Sequence, residues 1–137
     1  MFPEDIIIDT GVWVALAGKD DTPHKEASNV FPTLLGTSRG LVTSNFVVGE
    51  AYVLLLNELG HPAALSFLEG LKASPRIKKV CSGEDIEEEA EVILRKYSDQ
   101  DFSLTDAVSF VLMRRQKIKK AFCFDRHFST AGFTVVP

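Results

Sequence analysis

A chain of 137 residues, 45% hydrophobic and with ten phenylalanines, can bury a core of its own and is expected to fold as one domain over residues 1–137. Such a composition excludes a disordered chain. The net charge of −4 excludes the basic footprint of a general nucleic-acid binder, but not a nuclease, whose site must itself be acidic to hold metal. Cys81 and Cys123 stand far apart without metal-ligand spacing and read as small core residues in a reducing compartment. No apolar run reaches membrane length and no basic leader precedes the first strand, so a cytoplasmic protein with no membrane contact is expected.

Ile6-Ile7-Ile8 reads as a short strand buried on both faces, as in the centre of a parallel sheet. Asp9 ends it, and Thr10-Gly11 leads into an apolar helix-like stretch from Val12 to Ala17. Residues 19–23 read as a loop. The spacing of Ala27, Val30, Phe31, Leu34 and Leu35 predicts a helix from His24 to Leu35, closed by Gly36. Leu41–Thr43 follows as a strand, Ser44-Asn45 offers helix caps, and the next helix runs to about Leu59 before Gly60. Pro62 suits the first turn of a helix through Leu65, Leu68 and Leu71. Ile77–Val80 is a strand, and Gly83 to Tyr97 an acidic helix with Ile86, Ala90, Ile93 and Leu94 inward. Ser103 opens a helix to about Arg115, Ala121–Phe124 is a buried strand ending at Asp125, and Phe133–Val136 adds a last one. Alternating strands and helices predict a three-layer α/β/α sandwich with a mostly parallel central sheet, its strand order left open.

That topology gathers distant acids. In a parallel sheet Asp9 and Asp125, each just past a strand, lie on one edge, where open α/β sheets bind ligands. The N-terminus of a helix that feeds a parallel strand lies there too, which brings Asp106 and Glu50 to the same rim. Each acid has an ordinary structural role as its alternative. Asp9 alone fits a helix cap, Ser103-x-x-Asp106 resembles a capping box, and Asp125 fits a turn. Glu50 is too deep in its helix to cap, and its apolar neighbours Phe46, Val47, Val48, Ala51, Tyr52 and Val53 suggest a buried carboxylate in need of a partner. Two carboxylates about 4 Å apart repel by roughly 1 kcal/mol in water and about 4 kcal/mol at an effective dielectric of 20, so protons or a cation must relieve the cluster. Oxygen donors favour Mg²⁺ or Mn²⁺, and no Cys or His stands at zinc-ligand spacing.

These residues resemble the PIN domain family, especially its bacterial and archaeal toxin ribonucleases of the VapC type. The resemblance covers nearly the whole chain. It is carried by residues 8–13 (Ile-Asp-Thr-Gly-Val-Trp), 43–50 (Thr-Ser-Asn-Phe-Val-Val-Gly-Glu), 102–107 (Phe-Ser-Leu-Thr-Asp-Ala) and 124–128 (Phe-Asp-Arg-His-Phe), in the family's order and spacing. It implies an Mg²⁺- or Mn²⁺-dependent endoribonuclease that cuts RNA, a cognate antitoxin as partner, and a homodimer. The family's metal-binding acids carry over to Asp9, Glu50, Asp106 and Asp125, with Asp9 and Asp106 as direct ligands and the other two acting through water. One departure is Gly11, where many members carry Ser or Asn, so that Thr10 or Ser103 would have to supply that hydrogen bond. Asp99 and Asp101 read as loop acids first and auxiliary site acids second, and His24 as a helix-start residue rather than a ligand.

Bound metal would orient and acidify a water for attack on a phosphodiester, so no nucleophilic Ser or Cys is required. The basic run Arg114-Arg115-Lys117-Lys119-Lys120 lies at a helix C-terminus, on the rim opposite the acids, and complements the helix dipole. Arg126 and His127 are the candidate phosphate contacts, with solvated surface residues as the alternative, and Thr10 is a third candidate substrate contact. A haloacid dehalogenase-type phosphotransferase would want an Asp at position 11, and a receiver domain a lysine at the end of a late strand; the chain has neither. The alternative that stands is a non-catalytic RNA- or protein-binding module of the same fold.

Overall fold

The computed structural model describes residues 3–18 and 22–137. Five parallel strands form one sheet: β1 (Asp5–Ile8), β2 (Gly40–Ser44), β3 (Ile77–Val80), β4 (Lys120–Phe122) and β5 (Thr134–Val136), in the order β3-β2-β1-β4-β5. Seven helices accompany them: α1 (Thr10–Ala17), α2 (Thr22–Thr37), α3 (Asn45–Leu59), α4 (His61–Ala73), α5 (Glu84–Lys96), α6 (Leu104–Gln116) and α7 (His127–Thr130).

The three layers follow from strand alternation. Ile6 and Ile8 point to one face, with Leu41 and Phe122, and pack with Val12 and Trp13 of α1, Ala27 of α2 and Val47 and Ala51 of α3. Ile7 points to the other, with Val42 and Ala121, against Ile86, Ala90 and Ile93 of α5 and the buried apolar residues of α6. β1 is the central strand, and all three of its isoleucines are buried, as a strand covered on both faces requires.

Chain order runs from β1 outward through β2 to β3, then returns past β1 to β4 and β5. The winding direction therefore reverses between β1 and β4, and outside the strand ends at such a point a crevice opens that suits ligands. Ile8 pairs in register with Phe122, and the Asp9 N–H donates to the Phe122 carbonyl at 3.0 Å. Asp9 thus leaves the sheet at that reversal.

Local punctuation matches the sequence in most places. Ser44 caps α3 by accepting the Val47 N–H at 3.1 Å. Gly60, at φ +95°, both ends α3 and starts α4, a backbone conformation open to glycine. Four boundaries differ. Gly36 does not close α2, which continues to Thr37, and Pro32 lies within that helix. Thr22 and Pro23, expected in a loop, begin α2, while residues 19–21 of that expected loop lie outside the described residues. β4 stops at Phe122, because β1 turns into α1 at Thr10 and leaves Phe124 no neighbour on that side; Phe124 is exposed. The short helix α7 stands where only turn residues were expected.

Candidate active site

Asp9 is the deepest acid. It holds the N-cap position of α1, yet its side chain makes no capping hydrogen bond, so the plain cap reading does not account for it. Only 6% of it is exposed. Burial pushes its carboxyl up to about 7, the charges of Asp125 and Asp106 add to the rise, and Glu50 contributes further. The Thr10 backbone N–H acts the other way without offsetting them, and among the described residues no cation contributes to the shift at Asp9. A carboxylate placed among three others and largely out of water is costly to ionise.

Asp106 is also buried, and the capping box is real. Its Oδ2 accepts the Ser103 N–H at 3.0 Å, while Ser103 Oγ accepts the Asp106 N–H at 3.0 Å. The same Oδ2 accepts Nδ1–H of His127 at 2.8 Å. Capping and membership of the acid cluster are therefore two uses of one carboxylate. Asp125 behaves likewise: its Oδ1 accepts the His127 N–H at 2.9 Å, as a turn residue does, while its Oδ2 lies 3.9 Å from Nδ1 of the same ring. Oxygen and nitrogen atoms of Asp106, Asp125 and His127 lie within 4.8 Å of one another.

Glu50 departs from expectation. It is exposed, because the helical period sends Val47, Val48, Ala51 and Leu55 to the core and leaves Gly49, Glu50 and Val53 outside. The buried carboxylate inferred from its apolar sequence neighbours is not there. Glu50 lines an open concavity with Asn45, Phe46, Gly49, Val53 and Thr105, close enough to Asp9 to act on it.

The remaining candidates separate. Thr10 is buried, and its Oγ1 has no hydrogen-bond partner among the described residues. A side chain at Gly11 would meet nothing within 4 Å, so no steric demand explains the glycine. Ser103 has its hydroxyl committed to the cap, which leaves Thr10 as the available hydroxyl of the two. Arg126 is exposed. His127 is not a free surface group: Nε2 donates to Oδ1 of Asp101 at 3.2 Å while Nδ1 is on Asp106. Burial lowers its pKa, but the Asp106 hydrogen bond and the charges of Asp106, Asp125 and Asp101 outweigh that, and the net shift is upward. Asp101 thus reaches the site through His127, a link between positions 26 apart that no local pattern in the sequence signals, while Asp99 stays on the exposed surface. His24 accepts no such role: its Nδ1 donates to the Ala15 carbonyl at 2.8 Å and ties α2 to α1.

Of the two cysteines expected in the core, Cys81 is exposed instead. Cys123 is buried, and burial, followed by the charges of Asp9, Asp125 and Asp106, pushes its thiol up to about 12, so it stays protonated and is no nucleophile. Of the basic run, Arg115 binds Asp85 at 3.1 Å and also Glu89, and Lys120 binds Glu4 at 3.2 Å, so those charges serve the far rim.

The cluster fits a hard divalent cation by its donors: carboxylate oxygens, an orphaned hydroxyl on Thr10 and no thiolate. A family model described as PIN domain matches residues 6–134. The chain belongs to the PIN domain family. It is 35% identical over 132 residues to the 23S rRNA-specific endonuclease VapC20 of Mycobacterium tuberculosis, covering 96% of this chain and 97% of that one. To ribonuclease VapC26 of the same species it is 30% identical over 139 residues, covering 96% and 100%. The crystal structure of VapC20, described as a Sarcin-Ricin loop cleaving toxin, superposes with a TM-score of 0.86 at 32% identity over 94% of this chain and 96% of that one. A toxin–antitoxin complex from Klebsiella pneumoniae shares the fold at a TM-score of 0.67 and 15% identity, over 96% of each chain. Among the described residues, no helix of this PIN domain is long and apolar enough to cross a membrane.

Proposed function

We propose that this PIN domain, one domain across its 137 residues, is a divalent-metal-dependent endoribonuclease that hydrolyses RNA phosphodiester bonds, the toxin of a toxin–antitoxin pair. Its metal-binding acids are Asp9, Glu50, Asp106 and Asp125, and Mg²⁺ or Mn²⁺ is the ion. One observation carries the reading: Asp9 is buried at the reversal point of the sheet, with Asp106, Asp125 and Glu50 acting on it. When bound, the ion supplies an activated water and stabilises charge on the phosphate.

The chain's own groups do the rest. Asp9 and Asp106, buried and rigidly placed, are the direct ligands, while the more exposed Asp125 and Glu50 act through water. The Thr10 hydroxyl, unpartnered among the described residues, would be available to substrate. Exposed Arg126 is the phosphate contact. Helix N-termini of α1, α3 and α6 turn partial positive charge toward the same rim, which suits an anionic substrate. Identity to VapC20 over nearly the full length makes the Sarcin-Ricin loop of 23S rRNA the first substrate to test. A cognate antitoxin, a cytoplasmic location and a homodimer belong to the same reading; exposed Val53, Leu56 and Leu59 on α3 give a second copy an apolar surface.

The test is cleavage of a Sarcin-Ricin loop oligonucleotide with Mn²⁺ and with chelator, by wild type and Asp9→Asn. Wild type should cut only with metal, and Asp9→Asn should lose roughly 10²-fold or more, the scale of one preorganised electrostatic element. Metal-independent cutting, or full activity in the variant, would overturn the assignment. Tight RNA binding with no cleavage would point to a non-catalytic module.

A further inference from the structure

We infer that His127 is a positioning residue: together with Asp101 it commits Oδ2 of Asp106 to the protein and leaves Oδ1 as the oxygen available to a metal ion. The inference rests on the metal-binding reading above. Oδ2 of Asp106 accepts two hydrogen bonds, from the Ser103 N–H at 3.0 Å and from His127 Nδ1–H at 2.8 Å. The first comes from the same helix turn and only ties the carboxylate to its own cap. The second comes from α7, 21 residues further on, and ties the rotation of the carboxylate to a separate element.

The ring that makes this contact is itself located from several directions. Nε2 donates to Oδ1 of Asp101 at 3.2 Å, and the Phe102 ring meets it edge-to-face at 5.4 Å and 78°. The His127 backbone N–H is held by Oδ1 of Asp125 at 2.9 Å. Asp101 and Phe102 precede Ser103 directly, so the segment that starts α6 grips both the carboxylate and the ring that orients it. The His127 side chain is only 20% exposed, although Asp101 beside it is 86% exposed. Both ring nitrogens are occupied, so a direct phosphate contact would have to break one of these bonds. Exposed Arg126 carries no such commitment among the described residues and fits the phosphate role better. Orienting bonds of this kind, one step removed from the ion, are what hold metal-ligating carboxylates in place in general.

Mn²⁺ titration calorimetry on the intact chain separates the possibilities, with RNA cleavage kinetics measured on the same preparations. His127→Ala should weaken Mn²⁺ binding by roughly 10–100-fold. It should also lower kcat while leaving KM for RNA near that of wild type. In His127→Asn an amide N–H stands close to where Nδ1 was, so most of the Mn²⁺ affinity should return. Asp101→Asn should weaken binding in the same direction by less. If His127 were a phosphate contact or a mere counter-ion, its removal would leave Mn²⁺ binding unchanged or tighter and raise KM, and that result overturns the inference. Should His127→Ala fail to fold by circular dichroism, His127→Asn and Asp101→Asn carry the test: wild-type affinity in Asp101→Asn, or Mn²⁺ affinity not recovered in a folded His127→Asn, overturns it as well. A wild-type chain that binds no Mn²⁺ overturns the metal-binding reading itself and this inference with it, whereas a binding wild type beside unaffected variants overturns this inference alone.

Discussion

Asp9 sets the pH behaviour of the metal-free protein. Its carboxyl is held at about 7 against an ordinary 3.8, so between those values the folded chain keeps a proton that the unfolded chain has lost. The native state binds more protons there, and stability must fall as pH rises through that window. The loss of stability is on the order of 4 kcal/mol when complete, above pH 7, and is absent below pH 4. His127 adds to the same trend: its raised pKa gives stability that is complete below its unfolded value of 6.5 and is lost as pH rises through the folded one. Melting temperatures in chelator should therefore drop between pH 5 and pH 8, and Asp9→Asn should be flatter and more stable than wild type at pH 8. Parallel pH profiles for the two proteins would remove Asp9 from this role. At this scale the sequence identified the acids by where they stand relative to strands and helix starts, and the structure brings them to one rim. It was misleading for Glu50, because neighbours along a helix are not neighbours in space: Val47, Val48, Ala51 and Leu55 turn inward while Glu50 turns out.

Among the elements, α6 shows how a cap and a site share residues. Its buried flank from Thr105 to Met113 anchors the helix in the core, so its first turn is a firm support for Asp106. Ser103→Ala removes the hydroxyl that accepts the Asp106 N–H but keeps the backbone N–H that binds Oδ2. Loss of that cap should cost about 1 kcal/mol, within the usual range of about 0.5–2 kcal/mol, while cleavage per folded molecule stays within a few-fold of wild type. Chemical denaturation and initial rates on one preparation check both halves; a stable but inactive Ser103→Ala would mean that the hydroxyl serves the chemistry instead. Caps were legible in sequence because their chemistry is local, as at Ser44, Gly60 and Ser103. Where an element's end depends on its neighbours, local reading failed. Gly36 carries only a propensity cost of up to about 1 kcal/mol in a helix, which the packing of Val30, Phe31, Leu34 and Leu35 overrides. Phe124 left the strand because β1 had already become a helix beside it.

For the molecule as a whole, the alternation of strands and helices disclosed the layers but not the strand order, which depends on contacts between segments far apart in the chain. The order β3-β2-β1-β4-β5 is what turns Asp9 and Asp125 from two strand-end acids into neighbours across a reversal. With the metal-binding function proposed above, that arrangement implies a linkage between metal, protons and global stability. A ligand that binds only the folded chain at 100 times its Kd stabilises by about 2.7 kcal/mol. For a chain of this length that raises Tm by roughly 8–11 °C, taking about 3–4 °C for each kcal/mol. Protons compete with the ion for the Asp9 carboxylate, since metal binds the ionised form. With that carboxyl at about 7, the Tm increase produced by a fixed Mn²⁺ concentration should be small at pH 5.5 and grow steadily to pH 8. Asp9→Asn should show a much smaller increase and little growth with pH, because its amide neither titrates nor supplies charge. An equal concentration of charge supplied as monovalent salt should not reproduce the effect, since screening acts on all surface acids alike. A Tm increase that is the same at both pH values, or equal in wild type and Asp9→Asn, would place the bound ion somewhere other than the rim formed by β1 and β4.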